Sequence, residues 1–182
     1  MGKFLKRLFI TLIVMLLIIG GAAWWFLSYI SPDKPLNLNY NPIDVRQKAV
    51  DMVKRLKPEL VLSEAEVNDL IKKHIDRDVA EGVELDGAEF ELNGDRLIAD
   101  LNITYKDRIP AHIRAEYRLE WQNPNLALRP QSLTMKGIQL PLRMLETIVV
   151  PLDLPTGDMV TVDDVKFEEK QVKVLFQIKL PF

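Results

Sequence analysis

The sequence predicts an α+β protein in which an N-terminal transmembrane helix precedes a long, strongly curved antiparallel sheet packed on two or three helices. Residues 8–30 carry no charge, two amphipathic helical patterns follow Asn41, and from Val83 onward apolar residues recur at every second position. A period of 3.6 residues is typical of helices, and a period of 2 is typical of half-buried strands. Helices followed by a run of strands indicate the α+β class.

The charges divide the chain into an apolar anchor and an acidic domain. The first 30 residues hold three of the 24 basic residues and none of the 26 acidic ones, so the remainder has a net charge of −5. We predict a cytoplasmic basic flank at 1–7, a transmembrane helix at 8–30, a tether at 31–41 and an extracytoplasmic α+β domain at 42–182. An acidic domain argues against nucleic-acid binding, and the absence of cysteine excludes disulfides and a thiol nucleophile.

The apolar segment 8–30 has the length of a membrane span. Its 23 residues form a helix of about 34 Å, enough to cross a hydrocarbon core of about 30 Å. Trp24, Trp25 and Tyr29 fit the aromatic belt at the far interface, and the basic flank places the N-terminus in the cytoplasm. The sequence thus predicts a single-pass protein of the cell membrane. A cleaved signal peptide, cut at Gly21–Ala23, is the competing interpretation.

Two helices are predicted before the sheet. Asn41 is the expected N-cap of the first, with Pro42 at its first position and Pro58 at its end. Ser63 and Glu66 form the pattern of a capping box and begin the second. The apolar stripe of this second helix leaves the following side chains toward water: Glu64, Asn68, Lys72 and Lys73.

The strands are predicted from alternation. Asn93–Gly94 supplies the positive φ angles of a tight hairpin between the first two long strands. The clearest strand is Ile109–Trp121, whose 13 residues would extend about 43 Å and so require a twisted, curling sheet. Bends or bulges are expected at Pro130 and Gly137 in the next strand.

After that strand the pattern predicts a short third helix from Pro141 to Pro151. It is apolar nearly all round, so most of its surface has to be covered by sheet, ligand or membrane. A turn at Leu154–Gly157 then precedes two closing strands, the first with Val160 and Val162 and the second at Val172–Leu180.

One apolar face of the predicted sheet is the candidate ligand-binding site. Small Ala99, Ala111 and Ala115 lie among large apolar residues and leave shallow space in which a helix or an acyl chain fits. The candidate groove residues are Leu97, Ala99, Leu101, Ile103, Ala111, Ile113, Ala115, Tyr117, Leu119, Trp121, Leu142, Leu145 and Ile148. The pattern leaves two interpretations open, a groove for a ligand and an ordinary core filled by the helices.

The residues of catalytic and metal sites are scarce. His74 and His112 are the only histidines, fewer than an imidazole-based metal site needs. Three acidic pairs, Asp76 with Asp78, Asp163 with Asp164 and Glu168 with Glu169, are expected to be surface residues between elements. We therefore predict no catalytic residues, no metal, no cofactor and no enzymatic activity.

Several short segments resemble the YpmS family of uncharacterised membrane-anchored proteins from Gram-positive bacteria. They are Leu62–Ile71 before the sheet, Ile109–Pro110 at the long strand, Leu133–Gly137 leading to Leu140–Pro141, and Val160–Val162 with the final strand. This resemblance implies a location in the cell envelope and an architecture, since the family lacks an assigned activity. A curled sheet around an apolar helix is also similar to tubular lipid-binding folds.

The function predicted from these features is that of a non-catalytic lipid- or amphiphile-binding protein, anchored in the membrane and facing the cell envelope. The alternative is an interaction module that docks an envelope protein through a strand edge or its charged outer face.

Overall fold

The computed structural model describes residues 2–54, 59–152 and 160–178. Within them the chain is an α+β protein with an N-terminal apolar helix, a curled antiparallel half-barrel sheet and a few helices, which confirms the predicted fold class. Three predictions lie outside the described residues, namely the helix end at Pro58, the turn at Leu154–Gly157 and the end of the last strand at Leu180.

Among the described residues, one helix is long and apolar enough to cross a membrane, namely α1 at Gly2–Ile30. Its apolar stretch Phe4–Ile30 has 27 residues, and its side chains are exposed up to Tyr29. Apolar side chains left uncovered along a whole helix are typical of a segment whose solvent is lipid. The predicted segment 8–30 is thus confirmed as a helix of sufficient length.

The remaining elements follow in helix-then-strand order. The helices are α2 at Val45–Lys54 and α3 at Glu64–His74, with a 3₁₀ turn at Leu142–Met144. The strands are β1 Glu59–Ser63, β2 Asp78–Ala80, β3 Val83–Asn93, β4 Arg96–Tyr105, β5 Ile109–Gln122, β6 Asn125–Met135, β7 Ile138–Gln139, β8 Ile148–Pro151, β9 Val160–Glu168 and β10 Gln171–Ile178.

The large sheet has seven antiparallel strands in the order β2-β3-β4-β5-β6-β7, with β8 paired to β6 beside β7. Strand β5 has 14 residues and confirms the predicted long strand. Gln131 has no partner on β5, because Glu116 pairs with Ser132 and Tyr117 with Pro130, and this bulge confirms the bend predicted at Pro130. Bulges increase the local twist of a sheet, which helps it to curl.

Glycines lie in the tight turns of two hairpins of the large sheet. The β3–β4 loop is Gly94–Asp95, and Gly94 alone has a positive φ, of 61°. Asn93 remains in the strand, so the hairpin was correctly predicted but its loop begins one residue later than expected. The β6–β7 loop is Lys136–Gly137, with positive φ at both positions.

The two closing strands do not join the large sheet. Strands β9 and β10 form a hairpin, and β10 pairs on its other side with β1, giving a separate three-stranded sheet. The sequence did not predict β1, because its five residues lie between the two helical patterns and are too few to show a clear period.

The prediction of a third helix from Pro141 to Pro151 is wrong. Leu142–Met144 forms a single 3₁₀ turn after Pro141, which makes no side-chain cap, and Ile148–Pro151 is strand β8. Ile148, Val149 and Val150 favour a strand because their branched side chains are restricted in a helix. The free edge of β6 supplies the hydrogen bonds that β8 needs.

The start of the first domain helix also differs from the prediction. Helix α2 begins at Val45 and is capped by Asp44, whose carboxylate accepts from the Gln47 amide at 2.8 Å. Asn41, the expected cap, donates to Asp69 instead. The capping box at the start of α3 is confirmed, since Ser63 and Glu66 accept from each other's backbone amides.

Helix α3 satisfies the backbone of the β3 edge. The Phe90 amide donates to Asn68 Oδ1 at 3.1 Å and the Leu92 amide to Glu64 Oε2 at 2.9 Å. The prediction that Glu64 and Asn68 face water is therefore wrong. An unpaired strand edge is a template for aggregation, and these two side chains occupy it.

The predicted tether, residues 31–41, contains neither helix nor strand and packs on the sheet. The Lys34 carbonyl accepts from Asn102 Nδ2 at 2.7 Å, and the Asn37 carbonyl accepts from the Ala88 amide at 3.3 Å. A Cβ at Gly87 would lie 2.3 Å from the carbonyl carbon and oxygen of Leu36. A residue without a side chain is thus required where the tether crosses β3.

We predict that Gly87→Ala displaces the tether and lowers the free energy of unfolding by about 1–3 kcal/mol, as overpacking does. The Ala88 amide should then exchange faster with deuterium in the full chain in detergent. Gly94→Asn is the control, because its new side chain enters open space and Asn tolerates a positive φ. Unchanged exchange at Ala88 would contradict this account.

We predict that Asn68→Ala lowers the free energy of unfolding by about 1–3 kcal/mol, because the Phe90 amide loses its acceptor. Asn68→Asp retains an oxygen at that position and should lower the free energy of unfolding much less. Lys73→Ala, at an exposed position of the same helix, is the control. Urea unfolding of the three variants measures the difference, and equal losses from Ala and Asp at position 68 would refute the role of the acceptor.

Candidate functional site

The predicted groove residues of β4 and β5 do lie together on one face of the sheet. The pairs are Leu97 with Tyr117, Ala99 with Ala115, Leu101 with Ile113, and Ile103 with Ala111. Leu119 follows on the same side of β5 and pairs with Leu128 of β6. The nine predicted groove residues of β4 and β5 are all buried in the hydrophobic cluster.

The alanines form the shallow part of this face. A row of paired residues crosses four strands as Phe90, Ala99, Ala115 and Leu133. Two small side chains therefore lie between two large ones, as the sequence suggested, and both alanines are completely buried. Other parts of the chain thus cover this depression.

The cover comes from α3 and the three-stranded sheet. Helix α3 contacts β3 near one edge of the half-barrel and β8 at the other, so it spans the open side. The following buried side chains belong to the same cluster as the sheet face: Val67, Leu70 and Ile71 of α3, Leu60 and Leu62 of β1, and Val172, Val174 and Phe176 of β10. The centre of the predicted groove is packed by the protein's own side chains.

The other four predicted residues are less enclosed. Trp121, Leu145 and Ile148 are partly buried against the cluster, and Leu142 is exposed. Ile148 pairs with Leu128, so it extends the inner face onto β8. The structure therefore divides the predicted set into a closed core of nine residues and a partly open edge. We call Trp121, Leu145 and Ile148 the apolar rim.

Burial also changes the chemistry of Tyr117. Its side chain is 3% exposed, and burial raises the pKa of its hydroxyl from 10.0 to about 12. Burial disfavours the charged phenolate, and the neutral form fits an apolar surrounding.

The end of α1 is held against the sheet. The Tyr29 hydroxyl donates to the Lys136 carbonyl at 3.1 Å, and Ile30 is buried in the hydrophobic cluster. Asp33 forms an ion pair with the Lys136 side chain, and this hydrogen bond lowers the pKa of Asp33. The β6–β7 turn is therefore fixed beside the membrane-length helix. We call these contacts of Tyr29, Asp33 and Lys136 the clasp.

A polar network continues from the clasp across the outer face. The buried Asn102 donates to the tether, and His112 Nδ1 lies 3.1 Å from Asn102 Oδ1. His112 Nε2 lies 3.3 Å from Asp100, which also accepts two hydrogen bonds from Arg114. Asp100 raises the pKa of Arg114. His112 thus links Asn102, which binds the tether, to Asp100 on the charged outer side of the sheet.

The second histidine and the acidic pairs form no common site. His74 Nδ1 lies 2.8 Å from the Leu70 carbonyl, inside its own helix. Asp164 accepts from the Val165 amide, and Glu168 pairs with Lys173. In the described ranges, no group of three or more histidine or acidic residues is placed to hold a metal ion.

The clasp, the tether contacts and the closure of the β3 edge were not predicted from the sequence. In the sequence, Asn102 is one polar residue among several of β4, and Lys136 directly precedes Gly137. Neither carries a local pattern that indicates a partner more than 65 residues away. Gly87 offered a weak signal, because a glycine inside a strand often marks a bulge or a close backbone approach.

Comparison of the chain with protein-family models, with curated proteins and with solved structures finds no match. The resemblance to the YpmS family stays a prediction from the sequence.

We predict that Tyr117 ionises near pH 12 when the ultraviolet absorbance of tyrosinate is followed with rising pH, because burial raises its pKa from 10.0 to about 12. Its raised pKa contributes stability that is complete below pH 10.0 and is lost as the pH rises toward about 12. Tyr117→Phe should remove the phase of the titration near pH 12. A phase near pH 12 that persists in this variant would contradict its assignment to Tyr117.

Proposed function

We propose that this protein is a single-pass membrane protein that holds its half-barrel domain outside the cytoplasm and binds a lipid or other amphiphile there without catalysis. The observation that carries the proposal is the apolar inner face of the sheet, which continues into a partly open rim while the end of a membrane-length helix is fixed on the same domain. The nine buried residues of the sheet face form the wall of the proposed site, and the apolar rim is the part that a ligand can reach.

The orientation follows from charge and composition. Basic residues lie on the N-terminal side of α1, and the aromatic residues Trp24, Trp25 and Tyr29 lie at its C-terminal end. Positively charged flanks remain in the cytoplasm, so the domain after Ile30 is exported. An acyl chain at the rim gains about 0.8 kcal/mol for each CH₂ that it buries.

The charged outer face favours the amphiphile over the alternative of a docked envelope protein. Arg114 binds Asp100, Arg118 lies 3.3 Å from Asp95, and Arg129 pairs with Glu120. Each of these arginines therefore has an acidic partner within the chain. Crosslinks from Arg114, Glu116 or Arg118 to one specific protein would support the interaction module instead.

Photocrosslinking of the full chain in vesicles tests the amphiphile. The probe is a phospholipid with a diazirine at the end of one acyl chain, and labelled peptides are identified by mass spectrometry. We expect labelling of peptides containing Leu145 and Ile148 in addition to α1, because the rim admits an acyl chain. Labelling confined to α1 would refute the proposed binding site.

A pair of variants on β8 makes this test specific. Ile148 points to the inner face, whereas its neighbour Val149 points to the other face and is exposed. Ile148→Gln should reduce labelling of the rim, because an amide is poorly solvated by an acyl chain, and Val149→Gln should leave it unchanged. Thermal unfolding of both variants confirms that each is folded.

A further inference from the structure

We infer that the β6–β7 turn and the segment that follows it, residues 136–144, form a second contact with the membrane, at the headgroup layer beside α1. This inference rests on the membrane-spanning role of α1 in the proposed function. The partner is the surface of a bilayer that contains anionic phospholipid.

The clasp fixes the position of the β6–β7 turn relative to the membrane. Twenty helical residues from Leu8 reach Leu27 and cover about 30 Å, the thickness of the hydrocarbon core. Tyr29 then lies at the headgroup layer, where tyrosine is enriched. Because its hydroxyl donates to the Lys136 carbonyl at 3.1 Å, the turn lies within one side-chain length of that layer.

The segment after the turn exposes large apolar side chains. Ile138 is 46% exposed, Leu142 43% and Met144 50%. Leu140 within this segment and Leu145 directly after it are partly buried against the cluster, and the Leu140 amide donates to the Leu133 carbonyl at 2.8 Å. The backbone is therefore fixed to the sheet while three apolar side chains point away from the core. Exposed apolar groups beside a membrane anchor are typical of an interfacial contact.

The positive charge of Arg143 favours an anionic lipid surface as the partner. Arg143 lies between Leu142 and Met144 and is exposed. A basic residue next to apolar ones gains attraction from anionic headgroups in addition to apolar burial. The domain as a whole has a net charge of −5, so an attraction to anionic lipid has to come from a local cation such as Arg143.

Depth-dependent quenching tests the contact in the full chain. Because the sequence has no cysteine, each substitution creates a unique labelling site. Ile138→Cys and Met144→Cys carry an environment-sensitive fluorophore in vesicles of phosphatidylcholine and phosphatidylglycerol. Spin-labelled lipids quench it from the headgroup, from a shallow acyl position or from a deep one. Ile18→Cys reports on the centre of α1, and Asp95→Cys reports on the β3–β4 turn.

We expect headgroup and shallow quenching at both Ile138 and Met144, deep quenching at Ile18, and no quenching at Asp95. No quenching at either Ile138 or Met144, with deep quenching retained at Ile18, overturns the contact and leaves the anchor intact. No deep quenching at Ile18 overturns the anchor itself. Disulfide formation between Met144→Cys chains without lipid quenching overturns the inference in favour of a second copy of the chain.

Arg143→Gln tests the part played by charge. Quenching at Met144 should fall in vesicles that contain phosphatidylglycerol and stay unchanged in phosphatidylcholine alone. Arg96→Gln at the β3–β4 turn is the matched control and should have no effect in either. An equal fall in both kinds of vesicle would overturn the assignment of anionic lipid as the partner.

Discussion

The hydrogen bonds at the edge of strand β3 are the constraint on which the closed structure depends. A curled sheet that stops short of a full barrel leaves an edge, and each backbone amide there needs an acceptor. Asn37, Asn68 and Glu64 supply acceptors for alternate amides of β3. Glu64 also donates its own amide to the Lys170 carbonyl in the β9–β10 turn, at 2.8 Å. One residue thus links the edge of the large sheet to the small sheet.

This closure explains why the inner face is packed rather than open. With α3 held along the β3 edge, Val67, Leu70 and Ile71 are directed into the half-barrel. The small sheet adds its own apolar side chains, and the alanine row becomes the floor of a core. On the β8 side a 3₁₀ turn and a short strand replace a full helix, and the residues of the apolar rim stay partly exposed there. The proposed site lies at the rim for this reason.

The fold could be predicted where the determining interaction is local. Alternation over the 13 residues Ile109–Trp121 identifies β5, because the polarity of each side chain indicates which face of the strand it occupies. The capping box at Ser63 and the hairpin at Asn93–Gly94 are short-range patterns of the same kind. The prediction of a third helix failed because a short, largely apolar segment fits both helix and strand. A free length of the β6 edge selected the strand, and that edge is a product of tertiary pairing.

The candidate site shows the same division. The sequence by itself determined that a membrane-length helix precedes a sheet with one apolar face, and it placed Ala99 and Ala115 on that face, because composition and period act within one segment. Tertiary structure decided what covers the face, where the tether lies, and that Tyr29 and Lys136 meet. Those contacts join residues far apart in the chain, and the pairing of two distant polar groups leaves no periodic trace in either segment.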